Sequence, residues 1–172
     1  MSEEKSFHIL FVCSGNSCRS PMAEGLLREK LPQRIGDREI KISSAGTLGI
    51  NGTPAAVHAQ TVVAEYFGDI SGHRSQGLRR LTVAGADLIL AMSAEHVEYF
   101  EGRYSEFRAK VHLLKQFAND QHPDDADIAD PIGSSLDTYR ECGRIINDEL
   151  ERILPALMKM IEEKNADGRG NQ

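Results

Sequence analysis

The chain has no excess of positive charge, no long hydrophobic run and few cysteines, and each shortage excludes a class of protein. Its 172 residues include 26 acidic and 20 basic side chains, a net charge of −6, which argues against a general nucleic-acid binder with a basic surface. No apolar run approaches the ~18 residues that a membrane span requires. Residues 1–5 are mostly polar and lack the hydrophobic segment of a signal peptide. We therefore expect a cytoplasmic protein without nucleic-acid or membrane partners.

The three cysteines, Cys13, Cys18 and Cys142, are too few for the disulfide framework of a small secreted domain. They also lack the spacing of a structural zinc site, and the histidines are scattered without pairing. No metal site is therefore predicted. Cys142 falls among the core positions of a helical segment, where a structural role is expected. A chemical role remains the main candidate for the first two thiols.

Short apolar runs rich in β-forming residues alternate along the chain with helical periodicity. Four such runs predict strands, at residues 7–12, 40–46, 87–92 and 110–114. Helices are predicted at residues 20–31, at 54–67 and from 136 onward. Strands separated by helices predict an α/β three-layer sandwich with a mainly parallel, four-stranded sheet. We expect a single domain over residues 1–164 and a flexible C-terminal tail over residues 165–172.

Local signals also predict where helices begin and end. Ser20 and Pro21 suit the N-cap and the first position of the first helix, and Ser93 suits the cap of a later one. Residues 134–137 resemble a capping box that opens the longest helical segment. Pro155 lies inside that segment. Because proline lacks a backbone N–H, we expect a kink there or an end one residue earlier.

The segment from Cys13 to Ser20 joins the first predicted strand to the first helix and contains a cysteine five residues before an arginine. Successive backbone N–H groups that end at a helix N-terminus form a phosphate-binding loop. Gly15 and Asn16 permit the tight turn, and the planar guanidinium of Arg19 can bind two phosphate oxygens. The same positive field favours the thiolate of Cys13, which can attack phosphorus and form a cysteinyl-phosphate. The alternative is a buried cysteine that only packs.

The order of motifs resembles a known family. Residues 12–24, Val-Cys-Ser-Gly-Asn-Ser-Cys-Arg-Ser-Pro-Met-Ala-Glu, are similar to the signature of the low-molecular-weight protein-tyrosine phosphatases. The resemblance extends to residues 44–47, 72–75, 86–92 and the pair Asp130–Pro131. It implies an enzyme that removes phosphate from phosphorylated protein residues through a cysteinyl-phosphate. It also implies phosphate or another oxyanion in the loop, no metal or other cofactor, and a monomer.

The resemblance implies a role for each matching residue. Cys13 is the nucleophile, Arg19 the phosphate clamp, and Asp130 the general acid that protonates the leaving group, a step that lowers the cost of expelling it. Proline after Asp130 biases the aspartate towards extended backbone. The remaining positions with implied roles are Ser14, Gly15, Asn16, Ser17, Cys18 and Ser20 in the loop, and Ser44 and His73 in the network that supports it.

Plainer interpretations stand beside these roles. Ser20 is also a candidate helix cap, and His73 an ordinary surface or core histidine. Cys18 matches the family's second thiol, which can form a reversible disulfide with Cys13 under oxidants, but it is equally a candidate packing residue. Four further aspartates precede Asp130 in the same polar segment, and we interpret all four as solvated loop charges: Asp120, Asp124, Asp125 and Asp127.

The substrate stays open at this point. Family members that favour phosphotyrosine usually carry a bulky aliphatic residue where this chain has Ser17, and aromatic residues after the Asp-Pro pair. Here Ile132 and Gly133 follow that pair, and the chain has no tryptophan. A small hydroxyl side chain at position 17 resembles the branch that dephosphorylates protein arginine.

Two further alternatives are weaker. Arsenate reduction on the same loop needs additional cysteines, and residues 67–110 contain none. A non-catalytic phospho-binding or sugar-transport module needs no general acid, so Asp130 distinguishes it from a phosphatase.

Overall fold

The computed structural model describes residues 5–167. The strands are β1 (Ser6–Cys13), β2 (Arg34–Ile35), β3 (Arg38–Gly46), β4 (Leu88–Ala91) and β5 (Val111–Leu113). The helices are α1 (Arg19–Arg28), α2 (Val57–Glu65), α3 (Arg80–Gly85), α4 (Ala94–Arg103) and α5 (Leu136–Asp167), with a 3₁₀ segment at Ser105–Lys110. Side chains of α1, α2 and α5 pack on one face of the sheet, and those of α3 and α4 on the other. The predicted three-layer α/β sandwich is therefore confirmed.

The central strand β1 is buried on both faces, which explains its nearly continuous apolar sequence. Phe7, Ile9 and Phe11 pack into the core beneath α1, α2 and α5. Leu10 and Val12 point the opposite way, into the core beneath α3 and α4. This alternation follows from the two-residue period of a strand, and it places the end of β1 between the two cores.

The parallel strands end at the same edge of the sheet. Cys13, the last residue of β1, pairs with Gly46 at the end of β3, and Val12 pairs with Ala91 at the end of β4. The segments that leave these three strands therefore lie side by side. Ligands of open α/β sheets bind at this edge.

Within residues 5–167 the sheet has five strands in the order β2-β3-β1-β4-β5, so the prediction of four strands is wrong by one. The extra strand, β2, is only two residues long and runs antiparallel to β3. Two residues cannot display the alternating pattern by which a strand is identified in a sequence. The turn that joins β2 to β3 contains Gly36 in the left-handed region, with φ of 62°.

Helix α1 begins at Arg19, so Ser20 and Pro21 occupy its second and third positions instead of the predicted cap and first position. The helix also ends at Arg28, three residues before the predicted end at residue 31. The early start places the first turn of the helix directly against the loop. The first N–H groups of a helix, which have no partner within it, are therefore close to Cys13.

Helix α5 continues to Asp167 through Pro155, so of the two predicted alternatives, a kink or an early end, the end near residue 154 is wrong. Leu150, Ile153, Leu157 and Ile161 are all buried on both sides of the proline. Packing of this continuous apolar face outweighs the loss of one backbone hydrogen bond.

The cap and the C-terminal end of α5 also differ from the prediction. The helix begins at Leu136, as predicted, but its cap is Ser135 and not Ser134 of the predicted capping box, because Ser135 Oγ accepts the Thr138 N–H at 3.3 Å. The predicted tail, 165–172, begins inside α5, and residues 168–172 lie outside the described part of the chain. Within residues 5–167, no helix combines the length and apolar composition needed to cross a membrane.

Candidate active site

The loop of residues 14–18 connects β1 to α1, and its carbonyl groups are turned away from its centre. Three of them, together with the carbonyl group of Cys13 just before the loop, accept hydrogen bonds from residues outside it. The pairs are Thr47 N–H with Cys13 O (2.9 Å), Leu48 N–H with Ser14 O (3.0 Å), His73 Nε2 with Asn16 O (2.8 Å) and Ala56 N–H with Ser17 O (2.9 Å). No cis peptide occurs in the described chain, and the N–H of a trans peptide points opposite to its C=O. The corresponding N–H groups therefore face the interior of the loop, as anion binding requires.

A chain of side-chain hydrogen bonds ends on the Cys13 sulfur. Asn16 is fully buried, and its Nδ2 donates to Ser20 Oγ and to Ser44 Oγ, both at 2.9 Å. Because the Ser20 oxygen accepts from Asn16, its own hydrogen is free to point to Cys13 Sγ, which lies 2.9 Å away. Ser44 in turn donates to the Glu24 carboxylate. A hydrogen bond in this direction makes the sulfur an acceptor, an arrangement that stabilises a thiolate.

The backbone around Asn16 is held in an unusual conformation. Its φ is 55°, in the left-handed region that asparagine tolerates better than most residues. Asn16 Oδ1 accepts the Gln76 N–H at 2.9 Å. His73 must carry a hydrogen on Nε2, because its partner, the Asn16 carbonyl, can only accept. At Gly46, a Cβ would lie 2.4 Å from the Ser14 carbonyl oxygen, so only glycine allows β3 to approach the loop this closely.

Arg19 is 3% exposed and is anchored along one edge only. Its Nη1 donates to Ser93 Oγ at 2.8 Å and to the Ile128 carbonyl at 2.9 Å. Nη2 makes longer contacts of 3.4 Å with Ser14 Oγ and with Asp130 Oδ2. Nε is buried and has no hydrogen-bond partner in the described structure. Because buried N–H groups are rarely left unpaired, Nε and Nη2 form an edge that is suited to two oxygens of an anion.

Asp130 is the aspartate of its loop that reaches Arg19. Its side chain is 40% exposed, and its Oδ1 accepts the Ile132 N–H at 3.2 Å. Asp127, interpreted from the sequence as a solvated charge, instead accepts the Ala94 N–H at the start of α4 at 2.7 Å. A carboxylate at this position stabilises the helix N-terminus. The other three candidates are exposed: Asp120, Asp124 and Asp125.

Cys18, the last residue of the loop, and Cys142 on α5 are buried, free thiols. Cys18 Sγ is 3.2 Å from the Tyr139 hydroxyl and 3.6 Å from Ser17 Oγ. Burial raises the pKa of the Cys18 thiol and that of the Tyr139 hydroxyl, so both groups keep their hydrogens at neutral pH. Burial also raises the pKa of Cys142 to about 12. Cys142 packs beneath the segment that carries Asp130, with Sγ 3.8 Å from the carbonyl oxygen of Ala129.

The structure also brings in His96, which sequence reasoning missed. The imidazole is 1% exposed, its Nδ1 accepts the Ser93 N–H at 3.1 Å, and its Nε2 lies 2.9 Å from Ser14 Oγ. Burial, and then the nearby Arg19 charge, lower the pKa of His96 to about 4. The signal that was available is its position three residues after the Ser93 cap, where a side chain can reach back to the cap N–H.

The predicted site residues therefore converge. At the edge of the sheet, hydrogen bonds link Cys13, Asn16, Ser20, Ser44 and His73, and beside them Arg19 contacts Ser14 and Asp130. Within residues 5–167, no group of three or more histidine, cysteine or acidic side chains is placed to hold a metal ion. The arrangement itself provides a thiol, an arginine edge, inward N–H groups and one carboxylate. These groups can bind an oxyanion and pass a proton near it.

Comparison with known proteins agrees with this geometry. A family model described as low molecular weight phosphotyrosine protein phosphatase matches residues 8–166. The chain is 38% identical over 156 residues to a protein-arginine-phosphatase of Geobacillus stearothermophilus, an alignment that covers 91% of this chain and 97% of that protein. It is 35% identical over 139 residues to the low molecular weight protein-tyrosine-phosphatase Etp of Escherichia coli, covering 81% and 86% of the two proteins.

A solved structure shares the fold as well. The YwlE arginine phosphatase from Geobacillus stearothermophilus superposes with a TM-score of 0.78 at 32% identity, covering 96% of this chain and 99% of that one. Since the family model spans nearly all of the described residues, the chain belongs to the low molecular weight phosphotyrosine protein phosphatase family.

Proposed function

We propose that the protein hydrolyses phosphate from phosphorylated protein side chains through a cysteinyl-phosphate on Cys13. The observation that carries the proposal is the orientation of Arg19. One nitrogen is committed to Ser93 and Ile128, whereas Nε is buried and has no hydrogen-bond partner among residues 5–167. A buried guanidinium with one open edge, beside a thiol and a ring of inward N–H groups, matches the oxygens of a phosphoryl group.

The first chemical step is transfer of the phosphoryl group to sulfur. Loop N–H groups and Arg19 hold the non-bridging oxygens, and Ser20 holds the Cys13 thiolate below them. The sulfur forms a bond to phosphorus while the bond from phosphorus to the leaving atom breaks. Asp130 donates a proton to that atom, so a neutral side chain departs.

The second step returns the enzyme to its starting state. Asp130, now a carboxylate, takes a proton from a water molecule as the water oxygen attacks phosphorus. The phosphorus–sulfur bond breaks, inorganic phosphate leaves, and the Cys13 thiolate is restored. The acid of the first step thus acts as the base of the second.

The contact between Asp130 and Arg19 links binding to this proton transfer. Asp130 Oδ2 lies 3.4 Å from Arg19 Nη2, the nitrogen that also belongs to the open edge of the guanidinium. A bound phosphoryl dianion competes for that nitrogen, and its negative charge favours uptake of a proton from solvent by the Asp130 carboxylate, which gives the acid that the first step uses. We infer that binding moves Asp130 outward, towards the leaving group.

Phosphoarginine is a second candidate substrate beside phosphotyrosine. The exposed apolar residues next to the loop and the acid are aliphatic, namely Leu48 and Ile132. Ser17 presents a small hydroxyl beside Cys18. An aromatic ring on the substrate would find no ring to stack on at these three positions. The relative with 38% identity is named a protein-arginine-phosphatase, which supports the same choice.

Turnover tests the proposal directly. We expect the wild-type protein to release phosphate from a phosphotyrosine peptide, from a phosphoarginine protein, or from both, and Cys13→Ser to release it from neither. Release by the serine variant at the wild-type rate would contradict the proposed nucleophile. We further propose that the enzyme acts as a cytoplasmic monomer without a cofactor; its net charge of −6 favours protein over nucleic-acid partners.

A further inference from the structure

Ser14 follows the nucleophile and lies at the mouth of the loop, where its side chain meets three groups. Its Oγ is 2.9 Å from His96 Nε2. It is 3.4 Å from Arg19 Nη2, at the edge of the guanidinium that is suited to an anion. It is also 3.4 Å from Glu95 Oε1, a long contact with an exposed side chain. The shortest of these contacts is to a buried group that the mechanism above does not use.

The positions of the hydrogens between Ser93, His96 and Ser14 follow from the hydrogen bond at Ser93. His96 Nδ1 accepts the Ser93 N–H, so Nδ1 carries no hydrogen. A neutral imidazole then carries its hydrogen on Nε2, which donates to Ser14 Oγ at 2.9 Å, since the Glu95 carboxylate is farther from Nε2, at 3.4 Å. Because the Ser14 oxygen accepts this hydrogen bond, its own hydrogen points elsewhere. The acceptors within reach are the distant Glu95 carboxylate and any oxygen bound beside Arg19.

We propose that His96 is a positioning residue that acts through Ser14: its Nε2–H fixes the Ser14 hydroxyl so that the hydroxyl hydrogen is donated to an oxygen of the bound phosphoryl group. The inference rests on the proposed phosphatase function, because it assigns that oxygen to the substrate. It adds one side-chain donor to the loop N–H groups and to Arg19. The direction of this donor is fixed before phosphate binds, because the imidazole and Ser93, whose N–H the imidazole accepts, are both buried.

Burial, together with the Arg19 charge, keeps the imidazole of His96 neutral and lowers its pKa to about 4. Burial and the Arg19 guanidinium disfavour a positive charge on the ring, whereas the carboxylates of Glu95, Asp127 and Asp130 favour it. Burial is the largest of these influences. Nε2 therefore stays a donor, and Nδ1 an acceptor, throughout the neutral pH range.

Two substitutions of His96 separate its hydrogen bond with Ser93 from its hydrogen bond with Ser14. In His96→Asn, the amide oxygen can replace Nδ1 as acceptor for the Ser93 N–H, but the side chain is too short to reach Ser14. In His96→Gln, the longer amide can donate to Ser14, and glutamine is itself a preferred residue at this position of a capping box. His112→Gln is the matched control, because this half-buried histidine lies on β5 and packs against Phe117.

Binding of inorganic phosphate and turnover of a chromogenic aryl phosphate are the two measurements. Loss of one hydrogen bond predicts about 3- to 10-fold weaker phosphate binding and an equal fall in kcat/KM for His96→Asn. Ser14→Ala should show the same loss. The double variant should show no further loss, because both substitutions remove the same hydrogen bond, the one that the Ser14 hydroxyl donates to phosphate. We expect His96→Gln to retain most of the wild-type affinity, and His112→Gln all of it.

The inference is overturned if His96→Asn binds phosphate as the wild type does, if its effect multiplies with that of Ser14→Ala, or if His96→Gln is equally impaired. Melting temperatures of all variants identify a loss due to unfolding, and Ser14→Ala then still tests the hydroxyl. Phosphate binding needs no turnover. A wild-type protein that binds phosphate in this His96-dependent way, yet hydrolyses no phosphoprotein, would refute the proposed function and retain the inference.

Discussion

The nucleophile loop, residues 13–20, and the acid loop, residues 127–133, lie at the same edge of the sheet, yet they are held very differently. Asn16 and Ser20 are fully buried, and hydrogen bonds tie both their side chains and the carbonyl groups of the loop. In the acid loop, the Asp130 side chain is 40% exposed and Ile132 is 65% exposed. The conformation of the nucleophile loop is fixed by many hydrogen bonds, whereas the acid loop is accessible from solvent.

The difference matches what each loop must bind. The phosphoryl group is the same in every substrate, so its binding groups can be held rigidly before it arrives. The leaving group differs between substrates and enters from solvent, so the acid must be accessible. A rigid polar loop must also have its buried groups paired, which explains why so many surrounding residues are used to hold this short segment.

The largest expected effect is at the nucleophile. We expect Cys13→Ser to lower turnover by roughly 10⁴-fold or more, because serine at this position is a far weaker nucleophile than a thiolate. Binding of inorganic phosphate should persist, since the loop N–H groups and Arg19 remain. Steady-state turnover and calorimetric phosphate binding measure the two. A serine variant within tenfold of the wild type would exclude a cysteine-dependent enzyme.

On the exposed side of the comparison, we expect Asp130→Asn to lower turnover by about 10³-fold for a substrate with a poor leaving group. A good leaving group needs less protonation, so the loss there should be smaller. Phosphate binding should not weaken. Asp125→Asn, a matched change at an exposed aspartate of the preceding segment, should leave turnover unchanged. Equal losses in the two variants would contradict the assignment of the acid.

Arg19→Lys tests the open edge of the guanidinium. Lysine keeps the charge but loses Nε and the planar fork, so we expect about a 10²-fold fall in kcat/KM and weaker phosphate binding. Arg28→Lys is the control, because Arg28 is a half-exposed residue of the same helix that pairs with Glu24. If Arg19→Lys binds phosphate with wild-type affinity, the bidentate arrangement is not used.

The buried network predicts a difference in stability. Asn16→Ala removes three side-chain hydrogen bonds and places alanine at φ 55°. We expect it to lower the free energy of unfolding by roughly 2–3 kcal/mol. Ile132→Ala in the acid loop should change it by less than about 0.5 kcal/mol, because that side chain is mostly exposed. Urea titration measures both, and similar losses would remove the contrast between the loops.

The smallest effect concerns substrate preference. We expect Ser17→Ile to shift the ratio of phosphotyrosine to phosphoarginine turnover by about tenfold towards phosphotyrosine, since a bulky aliphatic side chain adds apolar contact. The ratio of kcat/KM on a phosphotyrosine peptide and a phosphoarginine protein measures this shift. If neither the wild type nor Ser17→Ile hydrolyses phosphoarginine, the protein-arginine-phosphatase branch is excluded.

Much of this site was predictable from local patterns. A cysteine and an arginine separated by five residues, after a buried strand and before a helix, form a short continuous segment, so their meeting does not depend on distant contacts. Two-residue strand β2 and the continuation of α5 past Pro155 were not predictable in the same way. The first has too few residues to show a period, and the second depends on packing against the sheet.

The sequence by itself determined the type of chemistry, because Cys13, Arg19 and the start of α1 belong to one short continuous segment. Only the tertiary structure decided how the parts are oriented. It turned the loop carbonyl groups outward to Thr47, Leu48 and Ala56, left one edge of Arg19 open, and placed His96 against Ser14. The physical reason is that a hydrogen bond has a direction. Residues 82 positions apart acquire that direction only when the ends of parallel strands bring them together.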